Sequence, residues 1–185
     1  MRTLVLGGIR SGKSRWAEDA IAASLAPDQP VRYLAPGVAG SADAAWAHRI
    51  AEHRDRRPAH WSTVETSGIA TQLRESSTPM IVDDLGIWLT GLLDRHHGWD
   101  AESVPAAITS EVEDLLAAVA EFASVLVLVS PEVGLTVVPS TTSGRRFADE
   151  LGTLNQKVAA VCDRVVLVVA GHALEVKRAI KPSGL

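Results

Sequence analysis

The chain has 185 residues, a formal net charge of −4 at pH 7 and one cysteine, Cys162. This length suits one well-buried domain over residues 1–185, and scattered basic residues without interleaved aromatics argue against nucleic-acid binding. A lone cysteine forms neither an internal disulfide nor a cysteine metal cluster, and without a signal-peptide pattern or an apolar run of roughly 18 residues we expect a cytoplasmic protein with no membrane span.

A complete phosphate-loop motif, G-x-x-x-x-G-K-S, follows the first apolar run of the chain and extends from Gly7 to Ser14. Such a loop turns backbone N–H groups towards phosphates, places Lys13 on the β and γ oxygens and offers the Ser14 hydroxyl to Mg²⁺. A helix is predicted from Lys13 to Leu25, where the motif requires one. The motif therefore indicates a nucleoside triphosphate site rather than an ordinary strand-to-helix turn.

Four further apolar runs resemble the first, and helical patterns separate them. The runs cover residues 31–35, 80–83, 125–129 and 165–169, and the other predicted helices cover 42–56, 86–96, 103–122 and 145–162. Nearly continuous Val, Leu and Ile runs are typical of strands that are buried on both faces of a parallel sheet. The pattern predicts an α/β fold, a three-layer P-loop NTPase-like domain with a mostly parallel central sheet. Ligands bind such sheets outside the carboxyl ends of the strands.

The predicted helix that ends near Pro58 carries a histidine among arginines. At helical spacing Trp46, Ile50, His53 and Arg57 follow one another along one side, and Pro58 disfavours helical geometry just before it. The basic neighbours of the histidine are Arg54, Arg56 and Arg57. An imidazole in such surroundings can attack phosphorus while guanidinium groups hold phosphate oxygens. On this pattern alone, a solvated helix end is the simpler interpretation.

Two acids end the third apolar run. A carboxylate leaving a buried strand is costly unless a cation or hydrogen bonds satisfy it, so Asp83 is predicted to hold Mg²⁺ or its water shell. Asp84 has an alternative role, as the N-cap of the helix that is predicted to start near Gly86.

The motifs together resemble one family, the bifunctional adenosylcobinamide kinase/adenosylcobinamide-phosphate guanylyltransferase of cobalamin biosynthesis. The matching features are, in chain order, Gly7 to Ser14, the pattern Arg49-Ile50-x-x-His53-x-x-Arg56-Arg57-Pro58-x-x-Trp61-x-Thr63-x-Glu65, Asp83, Glu132-Val133-Gly134, Val138-Pro139 and Asn155-Gln156. The resemblance runs from about Met1 to Lys177, and the block around His53 is far more specific than the phosphate loop. This chain has Pro36-Gly37 where Thr-Ser is frequent in the family.

The resemblance implies two reactions, phosphorylation of adenosylcobinamide and then GMP transfer from GTP to the phosphate through a guanylylated histidine. It assigns that histidine to His53, a catalytic role beside it to Lys13, and Mg²⁺ to Ser14 and Asp83. The family's nucleotide contacts correspond to Gly7, Gly8, Ile9, Arg10, Ser11, Gly12, Lys13 and Ser14, to Ala35, Pro36 and Gly37, to Arg54, Asp55, Arg56 and Arg57, and to Glu65 and Asp83. GTP or ATP and the cobinamide are the implied partners, and the implied assembly is a trimer. Two alternatives stay open on the residues alone, a simple P-loop small-molecule kinase and a nucleotide-binding regulatory module.

Overall fold

The computed structural model describes residues 1–37 and 57–178, and within them seven strands form one sheet. The strands are β1 (Arg2–Gly7), β2 (Arg32–Ala35), β3 (Ser62–Glu65), β4 (Met80–Asp83), β5 (Leu126–Pro131), β6 (Arg164–Val169) and β7 (His172–Lys177). Their order across the sheet is β3-β2-β4-β5-β1-β6-β7, and neighbours are parallel except for the antiparallel pair of β6 and β7. The predicted mostly parallel sheet is confirmed.

Helices cover both faces of this sheet. They are α1 (Lys13–Ala23), α2 (Ile69–Glu75), α3 (Leu85–Arg95), α4 (Ala106–Glu121) and α5 (Thr142–Val161). Four of the predicted helices are confirmed with ends shifted by a few residues, and the one predicted over residues 42–56 lies outside the described residues. Among the described residues, no helix is long and apolar enough to span a bilayer.

The apolar runs are continuous because the strands are buried on both faces. Alternate residues of each strand face opposite sides. In β1, Leu4 packs in the cluster with α2 to α5, whereas Val5 packs in the cluster that contains Ala17 and Ile21 of α1. Both strand residues are fully buried. The core is therefore split into two layers by the sheet, which gives the predicted three-layer architecture.

Three elements escaped sequence analysis. Strand β3 is mostly exposed and β7 is exposed along nearly all of its length, so neither contains a run of buried apolar residues. Helix α2 has seven residues and buries only Ile69 and Leu73. Short or exposed elements leave a weak periodic signal, which is why these three were missed.

Candidate nucleotide-binding site

The phosphate loop connects β1 to α1 through a tightly packed turn. A Cβ atom on Gly7 would lie 2.4 Å from the Ser11 hydroxyl oxygen and 2.9 Å from the Val168 carbonyl oxygen, so only glycine fits there. Gly12 has a φ of +91°, which a side chain disfavours, and it directly precedes the first helical residue, Lys13. The Trp16 N–H donates to the Gly12 carbonyl at 2.9 Å. The helix thus starts at the residue that the motif predicts.

The turn between β6 and β7 packs against this loop. Its two residues, Ala170 and Gly171, have φ values of +50° and +81°, as in a tight β-hairpin turn with positive φ at both central positions. The Gly171 N–H donates to the Ser11 carbonyl at 2.8 Å. A Cβ on Gly12 would lie 3.3 Å from the Gly171 Cα. The hairpin therefore supports the phosphate loop. Sequence analysis missed this contact because it did not predict β7, the second strand of the hairpin.

The loop after β5 is hydrogen-bonded to the start of the phosphate loop. The Glu132 N–H donates to the Gly7 carbonyl at 3.0 Å, and the Gly134 N–H donates to the Glu132 carboxylate at 2.6 Å. Asn155 of α5 accepts from the buried Ser130 hydroxyl at 2.6 Å and donates to the Pro131 carbonyl at 3.0 Å. These bonds give the Glu132-Val133-Gly134 and Asn155-Gln156 motifs a structural role in fixing the end of β5.

Asp84 is the N-cap of α3, so the capping alternative for this residue is confirmed. Its carboxylate accepts from the Ile87 N–H at 2.8 Å. Burial, together with the neighbouring Asp83 carboxylate, raises the pKa of Asp84 to about 6 against the opposing effects of backbone hydrogen bonds and Lys13. Asp84 is therefore near both the strand-end acid and the loop lysine, and one of its oxygens, Oδ1, caps the helix.

Asp83 is held by a residue that sequence analysis did not single out. The Tyr33 hydroxyl, on β2, donates to Asp83 Oδ2 at 2.5 Å. The guanidinium carbon of Arg57 lies 3.4 Å from the centroid of the Tyr33 ring, and Arg57 Nη1 donates to the Thr63 hydroxyl at 2.8 Å. Burial, followed by the Asp83 charge, raises the pKa of Tyr33 well above its usual range, so the phenol stays a donor. In the sequence, Tyr33 has the pattern of an ordinary core residue.

Those of the other predicted residues that the structure describes lie where the strands end. Because β1 to β4 run parallel, their carboxyl ends at Gly7, Ala35, Glu65 and Asp83 point the same way. Ala35 and Glu65 are register partners, and Glu65 is exposed. Pro36 is buried, and a Cβ on Gly37 would lie 3.9 Å from an Ile87 methyl group. His53, Arg54, Asp55 and Arg56 lie outside the described residues.

The fold and the phosphate loop define a P-loop nucleotide-binding protein. Its backbone resembles two type III secretion ATPases, each with a TM-score of 0.52: a prototypical one from pathogenic bacteria, 13% identical, and EscN of enteropathogenic Escherichia coli, 12% identical. The matches cover 90% and 91% of this chain but only 50% and 43% of those proteins. At such identity they establish the fold alone.

The whole-chain comparisons are more specific. The cobinamide kinase/cobinamide phosphate guanyltransferase family model matches residues 3–176, and the chain belongs to that family. Bifunctional adenosylcobalamin biosynthesis proteins match over 96% of this chain: CobP of Pseudomonas aeruginosa is 43% identical, and CobU of Salmonella typhimurium and of Escherichia coli are 37% and 35% identical. The matches span 98% to 100% of those relatives. The family resemblance drawn from the motifs is confirmed.

Proposed function

We propose that this chain phosphorylates adenosylcobinamide with a nucleoside triphosphate and then transfers GMP from GTP to the resulting phosphate. The observation that carries the proposal is the supported phosphate loop at the end of the sheet where β4 ends in Asp83, in a chain that the family model matches over residues 3–176. The products of the second step are adenosylcobinamide-GDP and pyrophosphate.

The described residues supply the electrostatic part of both reactions. Loop amides and the Lys13 ammonium bind triphosphate oxygens and lower the cost of the charge that develops during transfer. Mg²⁺ fits this edge, since hydroxyl and carboxylate oxygens are its preferred protein ligands and it is usually held by few of them together with phosphates. Asp83 keeps one carboxylate oxygen, Oδ1, outside the hydrogen bond from Tyr33, and Ser14 provides the hydroxyl. When bound, the ion would neutralise phosphate charge.

The guanylyl transfer depends on His53, which lies outside the described residues and is assigned from the sequence. In the first half-reaction a neutral His53 nitrogen attacks the α-phosphorus of GTP, a P–N bond forms, and the bond to pyrophosphate breaks. In the second, an oxygen of adenosylcobinamide phosphate attacks the same phosphorus and the histidine leaves. The arginines at positions 54, 56 and 57 would hold phosphate oxygens during both steps.

Two further properties belong to the proposal. The family resemblance supports a homo-oligomer, with a trimer as the specific expectation. We also place the protein in the cytoplasm, because GTP and ATP, the proposed substrates, are made and kept there.

The test is covalent labelling with GTP. Wild-type protein incubated with GTP labelled at the α-phosphate should keep the label after denaturation, whereas γ-label should be lost with pyrophosphate. The bond should be acid-labile and alkali-stable, as expected for a phosphoramidate. His53→Ala should lose both the label and guanylyl transfer while it retains phosphorylation of adenosylcobinamide.

The matched control is His60→Ala, in the same segment. His60 is an exposed residue whose imidazole lies 3.9 Å from the Asp28 carboxylate, and its replacement should leave labelling intact. Retained α-label in His53→Ala would contradict the assignment of the carrier. A simple kinase would phosphorylate adenosylcobinamide without ever holding GMP, and a regulatory module would turn over no cobinamide.

A further inference from the structure

Tyr33 is a core residue with an unusual polar end. Its side chain is 1% exposed and packs with Val31, Ile81 and Val129 in the apolar layer under α1. Phenylalanine would fill the same space. The hydroxyl nevertheless donates to the carboxylate of Asp83, the last residue of β4 and the acid that the proposed function assigns to the cation.

Arg57 lies over the face of the same ring. Its guanidinium carbon is 3.4 Å from the ring centroid, so the two groups make a cation–π contact, and its Nη1 donates a hydrogen bond to the Thr63 hydroxyl. Arg57 Nε is buried and has no hydrogen-bond partner, and the ion pairs found within residues 1–37 and 57–178 do not include Arg57. The position of this guanidinium is thus set by the ring and a hydroxyl.

One side chain therefore fixes two groups of opposite charge. The ring and hydroxyl of Tyr33 are one rigid plane, so the Asp83 carboxylate at its edge and the Arg57 guanidinium on its face keep a constant separation. When a guanidinium and a metal cation bind the same phosphate, the distance between them must match the ligand. A displacement of either group by about 1 Å weakens that binding.

We propose that Tyr33 is a positioning residue for phosphate binding, which holds the cation-binding acid through its hydroxyl and the phosphate-binding arginine through its ring. The ligand class, a metal-complexed nucleoside triphosphate, rests on the proposed function. Tyr33 touches neither metal nor nucleotide and acts only through Asp83 and Arg57.

The test separates the two contacts by measuring binding. The probe is α,β-methylene-GTP, which cannot guanylylate a histidine, with Mn²⁺ followed by its electron paramagnetic resonance signal. Loss of one hydrogen bond should weaken Mn²⁺ binding to the Tyr33→Phe complex by about 3- to 10-fold, with a smaller effect on metal-free analogue binding because the ring is retained. Tyr33→Leu should weaken both.

Two further variants serve as comparisons. Thr63→Val releases Nη1 of Arg57 and should weaken metal-free analogue binding more than Mn²⁺ binding, which keeps the proposal testable if a Tyr33 variant folds poorly. Ile81→Val trims the register partner of Tyr33 in the same apolar layer, touches neither charged group, and should leave both affinities unchanged.

Equal Mn²⁺ binding by wild type and Tyr33→Phe would overturn the proposal, as would a loss in Ile81→Val as large as that in Tyr33→Phe. Absence of Mn²⁺ binding in the wild-type complex would overturn it as well. Failure of the proposed function would appear separately, as a wild-type protein that binds the analogue and Mn²⁺ but does not turn over adenosylcobinamide.

Discussion

Lys13 is the first residue of α1 and the only positive side chain in the phosphate loop apart from Arg10. Lys13→Ala should lower kcat/KM of both proposed reactions by about 10²- to 10³-fold, because phosphate charge then loses a preorganised partner. Steady-state kinetics of each reaction measure this, and an unchanged circular-dichroism spectrum controls for folding. Normal turnover at GTP near the wild-type KM would contradict the assignment of Gly7 to Ser14 as the working site.

Asp83 and Asp84 are adjacent but differ in what they hold. Asp83→Asn should raise the Mg²⁺ concentration for half-maximal activity more than Asp84→Asn does. Asp84 Oδ1 already accepts from the Ile87 N–H, and asparagine caps helices as well as aspartate. Activity of both variants over a Mg²⁺ titration decides the order, and a larger shift in Asp84→Asn would reverse it.

Lys13 and Asp83 could be singled out as site candidates from the sequence because both belong to local patterns, a motif and a strand end. Tyr33 could not, since its hydrogen bond to Asp83 joins residues 50 positions apart and exists only because β2 lies beside β4. For Asp84, the sequence left two roles open, and the helix geometry shows that the residue serves as an N-cap.

Among the elements, burial on both faces decided what could be predicted. The five apolar runs are the five strands β1, β2, β4, β5 and β6, whereas the edge strands β3 and β7 meet solvent and were not predicted. The β6–β7 hairpin matters to the site even so, because its turn contacts the phosphate loop.

This contact predicts an order of stability among glycine variants. Of alanine variants at Gly8, Gly12 and Gly171, Gly12→Ala should destabilise most, since it combines a positive φ, costing about 1–2 kcal/mol, with a Cβ only 3.3 Å from the Gly171 Cα. Gly171→Ala shares the positive φ but has open space, so its cost should be smaller. Gly8→Ala, with neither constraint, is the matched control. Urea unfolding of the ligand-free proteins measures the order, and equal losses in Gly12→Ala and Gly171→Ala would show that the contact contributes nothing.

At the scale of the whole molecule, Asp163, which directly precedes β6, pairs with Arg2 at the start of β1, 161 positions away. Its carboxylate accepts from the Arg2 backbone N–H and from the Arg2 guanidinium, each at 2.7 Å. These hydrogen bonds hold the pKa of Asp163 below its ordinary value, so the charged form favours the folded state. That stabilisation is complete above the ordinary pKa and is lost as pH falls through the depressed one.

Asp163→Asn should therefore lower the free energy of unfolding by about 1 kcal/mol at neutral pH, and the gap to wild type should close as pH falls below about 4. Urea unfolding at several pH values measures it. Asp114→Asn is the control, since its pair with Arg74 is exposed and should change stability less. A gap that stays constant down to pH 2 would contradict the role of the Asp163 charge.

The interpretation of residues 1–185 as one domain stays a prediction.

The interior place of β1 in the sheet has a consequence for how the protein is made. Among the described residues this strand pairs with β5 and β6, which follow it by more than a hundred positions, and Gly171 hydrogen-bonds to the loop after it. During translation, the nucleotide-binding loop leaves the ribosome long before any of its supports exist. GTP cannot guide early folding of the nascent chain, and a product truncated before β6 would expose an apolar strand to chaperones and proteases.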